Sequence, residues 1–182
     1  MMMRMLEVGG MPVLTDNIRK ADVDNPNGYY EFEPVKQLRK DASWMADAYG
    51  KAVKMVYALL YELPEDHEYK VIFMKRNLEE VIASQDAMLQ RNNKNTGTLD
   101  GSQVVRVFQD QLQKLEVWLG GRENFVLLNV DYNDVVADPA TAVLKVDRFL
   151  GLSLDTAPMI KVLDPLLYRQ RRLERKQSTL SQ

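Results

Sequence analysis

Val71-Ile72-Phe73-Met74 is an unbroken apolar run, which predicts a central parallel strand covered on both faces rather than an alternating, half-exposed one. Lys75 and Arg76 follow at its carboxyl end, the edge at which open α/β sheets bind ligands. Leu78, Val81, Ile82, Met88 and Leu89 then mark the buried stripe of a helix, with Asn77 as its cap and Glu80 at capping-box spacing. Similar units recur along the chain. Good helix formers from Met1 stop at Gly9-Gly10, Val13 and Leu14 end a short strand, and 35–47 holds one or two short helices. Ala52 to Tyr57 reads as a strand, with Leu59 to Leu63 as a short apolar link ending at Pro64.

Further on, Ser102 caps a helix whose inner stripe is Val104, Val105, Phe108, Leu112, Leu115, Trp118 and Leu119, and Gly120-Gly121 ends it. Phe125 to Leu128 is the next strand. Asp138-Pro139 opens a helix with Val143, Val146, Phe149 and Leu150 inward, and Gly151 stops it. Residues 15–27 and 91–101 are polar and turn-rich, hence loops. Strands alternating with helices predict one α/β domain over 1–182, with a mainly parallel central sheet flanked by helices and a disordered polar tail over 177–182.

Composition narrows the chemistry. A net charge of -2 gives no global basic field, so no nucleic-acid partner is expected and any anion site is local. The chain has no Cys, which removes disulfides, zinc–thiolate sites and a cysteine nucleophile, and its one His leaves little for a metal cluster, so no metal is expected. No apolar run approaches the roughly 20 residues that span a bilayer, and no secretory leader is recognisable. The expectation is a cytoplasmic protein without a membrane partner.

Arg76 and Ser84 stand eight positions apart across the strand-to-helix junction. Strand, Arg-Asn, then Ser at this distance resembles the 3′-phosphate element of sulfotransferases that use 3′-phosphoadenosine 5′-phosphosulfate (PAPS). The resemblance implies that Arg76 and Ser84 hold the 3′-phosphate, a role suited to a planar fork of donors beside a hydroxyl. Asp24-Asn25-Pro26-Asn27-Gly28-Tyr29-Tyr30-Glu31 is similar to a family segment beside the transferred group, and 131–151 to the family's late strand and helix. The likeness extends over nearly the whole chain.

By this resemblance the fold is a three-layer, P-loop NTPase-like one. Residues 1–14 look like the family's Met-rich helix and Gly-Gly-x-Pro-Val turn, without the preceding first strand and the Gly-x-Pro-Arg-Ser-Gly-Thr loop that binds the 5′-phosphosulfate. The expectation is therefore an N-terminally truncated domain. Animal cytosolic members carry Lys-Thr-His where this chain has Lys54-Met55-Val56, so their catalytic His has no counterpart here. Glu31 is then the candidate base, selected over Glu33 only by the family's Gly-Tyr-x-Glu spacing, because two residues apart on an extended segment share a face. Tyr29, Tyr30 and Phe32 read as an aromatic roof on the core. His67, before the central strand, reads as an inert surface residue. Arg169 is the one candidate nucleotide contact in the basic run 169–176, which otherwise reads as the solvated face of a last helix. The implied activity is transfer of a sulfuryl group from PAPS to a hydroxyl or amine of a small-molecule or carbohydrate acceptor, without a metal. The alternative is a non-catalytic, nucleotide-binding or interaction remnant of the family.

Overall fold

A computed structural model describes residues 1–22, 25, 28–78, 81 and 101–163, the side chains of 101 and 102 excepted. The expected capping box at Glu80, the body of the helix that follows Arg76, residues 91–100 of the loop expected over 91–101 and the tail all lie outside the described residues, while Gly101 already opens a helix.

Helix α1 (Met2–Val8) leads to strand β1 (Val13–Leu14). A 3₁₀ turn (Glu33–Gln37) and α2 (Met45–Ala48) follow, then β2 (Ala52–Val53) and a second 3₁₀ turn (Tyr57–Glu62). Beyond them come β3 (Tyr69–Lys75), α3 (Gly101–Gly120), β4 (Phe125–Asp131), α4 (Tyr132–Ala137), α5 (Pro139–Leu150) and α6 (Thr156–Lys161). The strands pair in parallel, β1 with β2 and β3 with β4, so the protein is α/β.

The period-2 alternation of each strand decides where its side chains go. Val13, Ala52, Ile72, Met74, Leu128 and Val130 pack into one core with Met5 and Leu6 of α1, Val143 and Val146 of α5, and Met159 of α6. Leu14, Val53, Val71, Phe73, Phe125 and Leu127 turn to the other core, with Trp44, Leu60, Leu115 and Leu119. Both faces of both strand pairs are therefore covered. A fully buried side chain of this size contributes on the order of 1.5–3 kcal/mol, so these two clusters carry most of the fold's stability.

The helix ends follow their sequence signals. Asp138 accepts the N–H of Thr141 at 3.1 Å and Pro139 takes the first position of α5. Gly151 ends that helix at φ +71, a left-handed conformation that costs L-residues about 1–2 kcal/mol. Gly9, at the end of α1, lies so near α6 that a Cβ there would be 2.6 Å from the Met159 sulfur. The carbonyl of Gly9 accepts the N–H of Asp155 at 3.0 Å, which ties α1 to the start of α6. Lys70 of β3 donates to the carbonyl of Leu150 at 2.7 Å, where a cation meets the negative end of α5.

Several expectations are corrected. Residues 71–74 pack alternately into the two cores as expected but are half-buried, and among the described residues β3 is an edge strand, hydrogen-bonded on one side only. The strand expected over 52–57 closes after Val53, and the apolar link that followed it is a 3₁₀ turn burying Leu60. Ser102 is already inside the first turn of α3. Helices α4 and α6 are additions, each started by an aspartate, Asp131 and Asp155, that accepts backbone N–H groups of its first turn. No described helix is long and apolar enough to cross a membrane.

Candidate functional site

The register of β3 on β4 places Lys75 beside Asp131, so the next residues, Arg76 and Tyr132, leave adjacent strands at the same level. Arg76 lies with its guanidinium carbon 4.8 Å from the centre of the Tyr132 ring. Its neighbour Lys75 points to α3 and pairs with Glu116 at 2.5 Å. The Asp131 carboxylate accepts the N–H groups of Asn133 at 2.7 Å and Asp134 at 3.4 Å, which starts α4 and fixes the backbone from which Tyr132 projects. On the β3 side, the carbonyl of Asn77 accepts the N–H of Val81 at 3.1 Å, a helical turn directly after Arg76. Ser84 and Arg169 lie outside the described residues.

Glu31 belongs to a second group of residues, built on β1 and the end of β2. Its carbonyl accepts the Thr15 hydroxyl at 2.9 Å and the Asp16 N–H at 3.2 Å, anchoring it to the chain that leaves β1. Two residues earlier, the Tyr29 carbonyl accepts the Lys54 ammonium at 2.7 Å, and Lys54 is the first residue past β2. The Glu31 carboxylate pairs with Arg19 at 3.3 Å and is the more buried partner, 28% exposed against 48%. Burial holds the Lys54 ammonium below the usual lysine range; Glu31 opposes that shift and Arg19 reinforces it. Lys54, Arg19 and Glu31 thus act on one another electrostatically.

Tyr30 makes the geometry of this segment. Its φ of +53 breaks the extended run, and its hydroxyl donates to the Glu7 carboxylate of α1 at 2.5 Å. Burial, and then Glu7, push the Tyr30 phenol up to about 12. The break removes the facial equivalence of the two glutamates that an extended strand imposes. Glu33 starts a 3₁₀ turn and pairs with Lys36 at 2.5 Å, while its N–H binds the Asp16 carboxylate at 2.6 Å. That N–H, and then the N–H of Ile18, hold the Asp16 carboxyl below the usual carboxylate range.

The aromatic roof is only partly present. Phe32 packs edge-on against Trp44 with ring centres 5.4 Å apart, but Tyr29 carries Arg19 on its face and hydrogen-bonds Asp22, and Tyr30 is held by Glu7. His67 is an exposed partner of Asp66 at 2.7 Å, before the amino end of β3. Among the described residues no group of three or more His, Cys, Asp or Glu side chains is arranged to hold a metal.

Tyr132, Lys54 and Arg19 are the side chains that sequence reasoning passed over as site residues. A signal existed for the first two: each is the first residue beyond a parallel strand, the position already singled out at Arg76. Arg19 had none, because the loop that returns it to Glu31 is shaped by the left-handed Asn17, at φ +56, and by side chain-to-backbone hydrogen bonds. Together these groups offer a planar cation at the carboxyl end of one strand pair and a carboxylate among cations at the other. The family model described as a sulfotransferase domain matches residues 36–180, which takes in Arg76, Tyr132 and Lys54 and stops short of Glu31. No curated protein and no solved structure matches the chain.

Proposed function

Because the chain belongs to the sulfotransferase domain family, we propose that it moves a sulfuryl group from PAPS to a hydroxyl or amine of a small-molecule or carbohydrate acceptor. The observation that carries this reading is the family match over 36–180, with Arg76 inside it at the carboxyl end of β3. Arg76, with Ser84 and Arg169, would hold the nucleotide. Arg76 fits a phosphate because its guanidinium, which lies over the Tyr132 ring, carries the planar fork of N–H donors that phosphate oxygens accept. The packing of alternate strand residues into two helix-backed cores supports a three-layer, P-loop NTPase-like arrangement.

In this reading the sulfur–oxygen bond to the nucleotide's phosphate breaks, a bond from sulfur to the acceptor forms, and the phosphate keeps the electron pair. PAPS supplies the activated sulfuryl group. The chain's own part is positioning, neutralisation of the phosphate charge and removal of the acceptor proton. Glu31 is the group assigned to that proton. To take it, the carboxylate exchanges its contact with Arg19 for one with the acceptor, while the cation of Lys54 stays nearby. Titration calorimetry of the protein with 3′-phosphoadenosine 5′-phosphate and with adenosine 5′-phosphate tests the nucleotide assignment. Tighter binding of the first is expected, and equal affinities overturn it.

A further inference from the structure

We propose that Tyr132 is a positioning residue for Arg76, and that the stack of ring on guanidinium sets how strongly the protein prefers a nucleotide with a 3′-phosphate. The proposal rests on the assignment of Arg76 to that phosphate. Arg76 is one residue beyond β3 and Tyr132 one residue beyond β4, and the parallel register holds the two backbones side by side. Tyr132 stands on a fixed base, because Asp131 caps the helix it begins. Its side chain has two rotatable angles, and the longer, freer arginine lies over its ring at 4.8 Å. Restricting the guanidinium before a ligand arrives lowers the ordering cost of binding. The ring's negative face also attracts the cation, a contact worth about twofold to thirtyfold in an equilibrium constant, depending on solvent exposure.

A ring that packs only for stability, or that meets the nucleotide base, predicts different measurements. The affinity ratio of 3′-phosphoadenosine 5′-phosphate to adenosine 5′-phosphate is the readout, since it isolates the 3′-phosphate from everything the two ligands share. Tyr132→Leu is expected to lower this ratio by about three- to tenfold, and Tyr132→Phe, which keeps the ring face, to hold it within about twofold. A fluorinated phenylalanine at position 132 preserves shape and packing while weakening the negative face, so it lowers the ratio even where the leucine variant does not fold. Equal losses for both nucleotides in Tyr132→Leu would place the ring on the base and overturn the proposal. An unchanged ratio on fluorination, or a phenylalanine variant as poor as leucine, also overturns it. A ratio of one in the unmodified protein instead removes the 3′-phosphate assignment of Arg76 itself, which keeps the two failures distinct.

Discussion

Arg19 binds Glu31 through Nη1 at 3.3 Å while its guanidinium carbon stands 3.3 Å from the centre of the Tyr29 ring, so one cation clamps two positions of the same short segment. Glu33, two residues on, has its own partner in Lys36. The two glutamates therefore meet different surroundings. In a form of the protein that carries a 5′-phosphosulfate loop, Glu31→Gln is expected to lower turnover by about 100-fold or more with nucleotide affinity nearly unchanged, and Glu33→Gln to do much less. Steady-state rates on an identified acceptor, beside calorimetry, check this. Near-normal turnover in Glu31→Gln would take Glu31 out of the mechanism.

For Arg76, loss of a charged hydrogen-bond donor to phosphate predicts about 1.5–3 kcal/mol weaker binding of 3′-phosphoadenosine 5′-phosphate in Arg76→Ala. Arg76→Lys should recover only part of it, because an ammonium neither forks nor stacks as a guanidinium does. Ser84→Ala should cost less than Arg76→Ala. Calorimetric dissociation constants of the three variants decide the order.

Alkaline pH offers a test of the Tyr30–Glu7 contact. The Tyr30 phenol is raised from 10 to about 12, so between these values the folded protein keeps a proton that the unfolded chain releases. Stability from this group is full below about pH 10 and is lost as pH rises through about 12. Tyr69 is raised to about 12 as well, by burial first and Asp66 second, so Tyr30→Phe should flatten part of the alkaline loss and leave the rest. Urea melts of both proteins across this pH range give the comparison, and identical pH profiles would argue against the contact.

The close approach at α1 makes Gly9 a sensitive position. Gly9→Ala would set a methyl 2.6 Å from the Met159 sulfur and 3.2 Å from the Met5 carbonyl, and only the methionine can yield. Overpacking of this kind costs about 1–3 kcal/mol, which urea denaturation would register as a lower midpoint at unchanged slope. A variant as stable as the parent would mean that Met159 repacks freely.

Much of this architecture was legible in residue order because its signals are local. Asp138-Pro139 and Gly151 bound α5 through a cap, a ring and a left-handed turn, all readable without knowing the neighbours, and the stripe from Val104 to Leu119 faces inward as its spacing predicts. The site was legible only in part. Arg76 could be read from the apolar run it ends, but its stacking on Tyr132 depends on which strand lies alongside and in what register. The different surroundings of Glu31 and Glu33 go with the positive φ of Tyr30, whose hydroxyl is held by Glu7 of α1, a tie between distant positions. Short-range patterns carry no information about such long-range ties.

The contact between Gly9 and Met159 also orders events in time. Met5 and Leu6 are covered by residues from α5 and α6, a whole domain's length further along the chain. During synthesis this methionine-rich surface therefore lacks its last partners until the last described helix has left the ribosome. Chain closure between such distant positions is slow, and exposed apolar segments self-associate in the interval. Helix α1 therefore acquires its α5 and α6 neighbours only after the intervening strands have been made.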